Sequence, residues 1–151
     1  MNLLFFVEHY MLTIAGWILA SLNRIVSIVD DEMDILYLFR DCLQGIPGIK
    51  LFVFTDPIAA YEHFKYNESK YALVLSDYRM PGMDGMELIK KIKDTKQSVR
   101  TILMTAFQTN DKLFHEYTSK KIINGFLQKP VKIQDIRNEV RKQLDTWMWD
   151  H

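Results

Sequence analysis

Apolar and polar positions divide the chain into one long apolar run followed by a regular alternation of two kinds of segment. From Leu3 to Leu22 nearly every residue is apolar. From Arg24 onward, short contiguous runs rich in β-branched residues alternate with longer segments whose apolar residues recur every three or four positions. The short runs predict a buried strand at Arg24–Val29 and further strands at Ile49–Phe54, Tyr71–Ser76, Thr101–Thr105 and Gly125–Gln128. The longer segments predict helices. Met33–Gln44 places Leu36, Phe39 and Leu43 on one face, with Ile35, Leu38 and Cys42 alongside, and Gly45 and Pro47 end it. Thr55-Asp56-Pro57 opens a second helix, a capping side chain followed by proline in the first turn, with Ile58, Tyr61 and Phe64 directed inward. Gly85–Lys93 follows, with Leu88, Ile89 and Ile92 inward. A more polar helix, capped by Thr109 or Asn110, runs to about Tyr117. The last, Ile133–Trp147, sets Ile133, Ile136, Val140, Leu144 and Trp147 at helical spacing.

Five strands alternating with five helices predict an α/β fold, a doubly wound parallel sheet covered on both faces. Such sheets bind ligands beyond the carboxyl ends of their strands, so the chemistry belongs where strands end. At 151 residues the chain is long enough for one core without a metal or disulfide staple.

Charge divides the chain again. Lys and Arg number 19, as do Asp and Glu, so net charge is zero, and bulk electrostatic attraction to nucleic acid is not expected. Of these charges only Glu8 lies in residues 1–23, which makes that stretch a distinct N-terminal segment and 24–151 the domain. Residues 3–22 have the length of a bilayer-crossing helix. Glu8 interrupts them, and a carboxylate at the bilayer centre costs about 2.5–3.5 kcal/mol. The segment is open to three readings: a membrane anchor with the domain in the cytoplasm, an extra helix packed on the domain, or a start assigned upstream of Met11 or Leu22. One cysteine, Cys42, excludes an internal disulfide and suits a reducing, cytoplasmic compartment.

At the strand ends stand Asp30-Asp31, Asp77, Thr105 and Lys129-Pro130. Singly each has a plain structural reading: the aspartates as helix N-caps, the threonine as a turn residue, Lys-Pro as a loop. Brought to one sheet edge, three carboxylates repel. At about 5 Å and an effective dielectric near 20, each pair costs on the order of 3 kcal/mol. An all-oxygen set of this kind suits Mg²⁺. Three carboxylates, one divalent ion and the Lys129 ammonium sum to zero, which lets the site admit a phosphoryl group.

These residues, with Ser76-Asp77-Tyr78-Arg79-Met80-Pro81-Gly82-Met83-Asp84-Gly85, Met104-Thr105-Ala106 and Phe126-Leu127-Gln128-Lys129-Pro130, resemble the receiver domain of two-component response regulators. The resemblance covers residues 24 to about 147. It implies a flavodoxin-like sheet of order 2-1-3-4-5. It implies that Asp77 accepts a phosphoryl group from a sensor histidine kinase or histidine phosphotransfer protein, forming an acyl phosphate. It also implies that Asp30, Asp31, Asp77 and the backbone carbonyl of Arg79 hold Mg²⁺, that Lys129 and Thr105 bind phosphoryl oxygens, and that Pro130 follows a cis peptide. Thr105 and Phe126 would form the switch, shifting the face made by the fourth and fifth helices of the alternating series and the fifth strand. Arg79 and Phe107 would border the attacking water and set the lifetime of the phosphorylated state. The chain departs from the family in carrying Ile122-Ile123 where a Gly-Ala pair is common.

No output domain is recognisable after the last helix, so the expectation is a stand-alone receiver that is not an enzyme beyond its own phosphorylation and dephosphorylation. Its output would be a protein partner, a relay of the phosphoryl group or relocation at a membrane. Two alternatives stay open: a receiver-like binding module that works without phosphorylation, and a phosphohydrolase of small substrates. The latter lacks an Asp-x-Asp acid/base arrangement and a cap domain.

Overall fold

The computed structural model describes residues 3–21, 23–106 and 112–149. An N-terminal helix, α1 (Leu3–Ser21), precedes the alternation. It continues as β1 (Arg24–Val29), α2 (Met33–Leu43), β2 (Ile49–Phe54), α3 (Pro57–Asn67), β3 (Tyr71–Asp77), α4 (Gly85–Thr95), β4 (Arg100–Thr105), α5 (Lys112–Ser119), β5 (Gly125–Gln128) and α6 (Ile133–Trp149). A single 3-10 turn, Glu68–Lys70, leads into β3. The strands form one sheet in the order β2-β1-β3-β4-β5, and every neighbouring pair is parallel. This is the expected flavodoxin-like topology.

Side-chain alternation along the strands feeds two cores, one on each face. Val26 and Ile28 of β1, Leu73 and Leu75 of β3, and Ile102 and Met104 of β4 pack with Leu36, Phe39 and Leu43 of α2 and with Ile136, Val140 and Leu144 of α6. On the other face Ile25, Val29 and Val74 meet Ala60 and Phe64 of α3 and Leu88 and Ile92 of α4. Leu103 there joins Met86 and Ile89 of α4, Ile123, and the half-buried Phe114 and Tyr117 of α5.

The elements differ from the sequence pattern in a few places. Ile58 is exposed, because the buried stripe of α3 is Pro57, Ala60 and Phe64. Asp56 caps that helix, accepting from the Ile58 amide at 2.9 Å, which fixes the register that turns Ile58 outward. Ile133 is exposed at the first turn of α6, before the helix meets the sheet. The capping candidates Thr109 and Asn110, and Phe107, lie outside the described residues.

Ile122-Ile123 end the α5 region without glycine. Lys121 takes a left-handed conformation (φ 57°), and the amides of Ile122 and Ile123 both donate to the Tyr117 carbonyl, at 2.8 and 3.2 Å. The turn delivers Ile123 into the core beside Leu103. Apolar burial thus offsets the cost of the left-handed residue.

Among the described residues, no helix is long and apolar enough to cross a membrane. The 19 residues of α1 span about 28 Å at 1.5 Å per residue, against roughly 30 Å of hydrocarbon, and Glu8 and His9 interrupt its apolar surface. A crossing through residues 3–22 is therefore not supported.

Two glycines shape the approach to the sheet edge. Gly82 has φ +83°, a conformation that side chains disfavour. Gly85 opens α4 so close to β3 that a Cβ there would collide with the Asp77 carbonyl oxygen and crowd Ser76 Oγ. Its amide donates to the Tyr78 carbonyl at 2.7 Å. Gly85→Ala is expected to destabilise the domain by about 1–3 kcal/mol through overpacking, measured by urea unfolding. Unchanged stability would mean that α4 does not seat this tightly on Asp77.

Candidate functional site

Because all five strands are parallel, their carboxyl ends share one edge, and the loops that leave them are tied to it by hydrogen bonds. The Asp30 amide donates to the Phe54 carbonyl (3.1 Å), Tyr78 to Met104 (2.8 Å) and Lys129 to Thr105 (2.8 Å). Each bond carries the ladder a step past its strand and holds the next side chain at the edge.

Asp30 directly follows β1 and its side chain is fully buried. One carboxylate oxygen, Oδ1, accepts from the Glu32 amide at 3.0 Å, an Asx turn that bends the chain toward α2. The other, Oδ2, accepts from Lys129 Nζ at 2.8 Å. Asp77, the last residue of β3, meets the same ammonium through Oδ1 at 2.9 Å. Asp31 is exposed beside them, and one oxygen from each of the three carboxylates lies within 4.8 Å of the other two. The Lys129–Pro130 peptide is cis.

A cavity of about 350 Å³ opens over this cluster, lined by Asp31, Glu32, Asp77, Arg79, Thr105, Ala106 and Lys129. Thr105 is buried at the end of β4. Phe126 stands apart, on the face of β5, with its ring edge-on to Phe114 at 5.3 Å between centroids. The structure therefore brings Asp31, Asp77, Arg79, Thr105 and Lys129 to one cavity, couples Asp30 to them through Lys129, and places Phe126 in the packing against α5.

The electrostatics follow from burial and crowding. Burial pushes the Asp77 carboxyl above the ordinary aspartate value; the bond from Lys129 opposes this, and the charges of Asp30 and Asp31 add to it. Burial alone would pull the Lys129 ammonium down, but its bonds to Asp30 and Asp77 hold it above the ordinary lysine value. One ammonium among three carboxylates leaves a net charge near −2. The residues present thus fit a divalent cation: all-oxygen donors, close together, open to solvent on the Asp31 side.

Three further residues, Ser76, Asp84 and Glu32, support the site. Ser76, one residue before the strand end, donates from Oγ to the Asp77 carbonyl at 3.0 Å. Asp84 caps α4 by accepting from the Glu87 amide at 2.9 Å. Glu32 contributes to the cavity wall only because the turn after Asp30 folds it back. An N-cap pattern reading would find Asp84; Ser76 and Glu32 depend on tertiary placement.

The model of the response regulator receiver domain family matches residues 26–141. Sporulation initiation phosphotransferase F of Bacillus subtilis (strain 168) is 31% identical over 123 residues, covering 82% of this chain and 95% of that protein. The cyclic di-GMP phosphodiesterase response regulator RpfG of Xanthomonas campestris pv. campestris (strain 8004) is 30% identical over 121 residues. That match covers 78% of this chain but only 31% of RpfG. Among solved structures, Vibrio cholerae chemotaxis protein CheY4 superposes with a TM-score of 0.69 at 20% identity, covering 80% of this chain and 98% of that one. With the strand order, the acidic cluster and the family match in agreement, the chain belongs to the response regulator receiver family and to two-component phosphorelay signalling.

Proposed function

We propose that Asp77 is the phosphoacceptor of a signalling switch occupying residues 24–151, with residues 1–23 as an appended segment, working in the cytoplasm. The observation that supports this most directly is the pair of ion contacts that Lys129 Nζ makes with Asp30 and Asp77 at the floor of an open cavity. It leaves the second Asp77 oxygen available for attack. Asp30, Asp31, Asp77 and the main-chain carbonyl of Arg79 would hold Mg²⁺, which when bound supplies neutralising charge to the oxygens of the transferring group.

The chain's own residues do the rest. The Asp77 carboxylate attacks phosphorus, the P–N bond of a phosphohistidine breaks, and its electron pair returns to the imidazole, leaving an acyl phosphate on Asp77. Lys129 then pairs with one phosphoryl oxygen as a point charge and the Thr105 hydroxyl donates to another. Repositioning of Thr105, and of Phe126 out of its contact with Phe114, would carry the change to the face formed by α5, β5 and α6. The histidine belongs to a sensor histidine kinase or a histidine phosphotransfer protein. An apolar groove of about 420 Å³ beside the site, lined in part by Ile35, Leu38, Phe39, Pro130 and Val131, offers such a partner a surface. Arg79 lines the cavity where water would approach and so tunes the lifetime of the acyl phosphate.

The test is incorporation of phosphate from a small donor such as acetyl phosphate. Asp77→Asn is expected to abolish it, Lys129→Met to lower it at least tenfold, and removal of Mg²⁺ with EDTA to stop it. Equal labelling of wild type and Asp77→Asn would overturn the assignment. Partner binding that Asp77→Asn leaves intact and phosphorylation leaves unaltered would favour the phosphorylation-independent module instead.

The raised pKa of Asp77 gives a second expectation. A carboxyl whose folded pKa exceeds its unfolded one binds its proton more tightly when folded, so stability falls as pH rises from the ordinary carboxylate range through the raised value. In metal-free protein, Asp77→Asn should therefore be more stable than wild type at pH 7 and show no gain at pH 3. Urea midpoints at the two pH values decide it, and a gain persisting at pH 3 would sink the electrostatic account.

A further inference from the structure

The opposite edge of the sheet carries its own pattern. Strands begin there and helices end there, because the strands are all parallel and each helix returns the chain. Lys50 lies at the start of β2, Lys70 just before β3, Lys96 at the end of α4, Lys120 and Lys121 after α5, and Lys142 in the last turns of α6. The acids near this edge are Asp41, Glu68, Asp94, Glu116 and Asp145, of which Asp41 is paired with Arg40 and Glu116 with Lys120. Asp94 is bonded to Lys90. Among the described residues, Lys50, Lys70, Lys121 and Lys142 stand in no ion pair, and all four are exposed. Lysines at helix ends serve the helix dipole, but Lys50 lies within β2, where that reason does not apply. A chain of zero net charge has thus clustered carboxylates at one edge and left four exposed lysines outside any ion pair among the described residues at the other.

From this basic edge α1 departs, three residues before Arg24. Leu4, Phe5, Phe6 and Val7 step about 100° apart and are 68, 70, 57 and 51% exposed, so apolar surface faces outward around the whole helix. An amphipathic helix lying on a surface would have a continuous polar face; in α1 Glu8, His9 and Thr13 interrupt the apolar surface without making one. One partner helix, including α1 of a second copy, covers one side only. Lipid covers all sides. Trp149, at the end of α6 and so at the same edge, is 89% exposed, as suits an aromatic ring at a bilayer interface.

We infer that the basic edge of the sheet docks on an anionic phospholipid bilayer, with α1 lying obliquely in the near leaflet and not crossing, so that the Asp77 edge points away into solution. Charge complementarity between the lysine edge and acidic headgroups, and the all-round apolar helix beside it, together select this occupant. The acidic edge would be repelled by the same surface, which fixes the orientation.

The test uses the full chain, released from mild detergent onto vesicles of phosphatidylcholine alone or with 30% phosphatidylglycerol, and floated. Binding to the anionic vesicles is expected to be at least tenfold tighter and to weaken with salt. Charge reversal of Lys50, Lys70 and Lys121 should reduce it by about fivefold or more per site. Labelling of Asp77 by acetyl phosphate reports that each variant is folded, and its outcome is independent of vesicle binding, so failure here leaves the phosphoacceptor reading untouched. Equal binding to both vesicle types, insensitivity to the lysine substitutions, or a chain that ignores vesicles and runs as an oligomer with α1 protected from proteolysis would each overturn the inference.

Discussion

Crowding of like charge at the carboxyl edge of the sheet is the constraint on which the rest of the site depends. One carboxylate oxygen each of Asp30, Asp31 and Asp77 lies within 4.8 Å of the others, held by two backbone segments that have no freedom to separate, since β1 and β3 are direct neighbours in the sheet. Lys129 relieves part of the repulsion by bonding two of the three. The remainder is left unsatisfied; that deficit favours a cation, and together with burial, the larger cause, it raises the pKa of Asp77. A site neutralised within the chain would have no reason to accept either a metal ion or a phosphoryl group.

The scaffold holds this arrangement against its own repulsion by burial. Asp30 and Thr105 are essentially inaccessible, and the strands beneath them are apolar on both faces, with α2 and α6 on one side and α3, α4 and α5 on the other. The contact between Gly85 and the Asp77 carbonyl ties the start of α4 to the same residue. A change at Asp77 therefore meets neighbours on two elements at once. The one wall that is lightly packed is the α5 side, where no residue of that helix is fully buried. Signals in a receiver need such an asymmetry: a rigid floor for the chemistry and a looser face that can be biased.

The same parallel topology that concentrates acid at one edge leaves the other edge free to differ. Lysines that begin strands or follow helices gather there, and α1 leaves from the same place. Phosphorylation and attachment would thus sit at opposite ends of the strands, with the apolar sheet between them.

Much of this was legible in the residues. Contiguous apolar runs and period-3.6 patterning found every strand and helix of the alternation, because burial on two faces of a parallel sheet forces apolar runs of fixed length. The strand-end residues Asp30, Asp77, Thr105 and Lys129 followed from those boundaries. Tertiary structure alone decided which nearby side chains support the site: Glu32 joins the cavity wall because Asp30 bends the chain, and Ser76 braces Asp77 because its hydroxyl meets the next carbonyl. It also decided facing where the pattern was ambiguous, turning Ile58 outward once Asp56 capped α3 and leaving Ile133 exposed. Local sequence determines period and boundary, since those depend on backbone geometry and neighbouring residues. Facing at helix ends, and the distances between charges from strands far apart in the chain, depend on how the elements dock, and only the assembled sheet sets them.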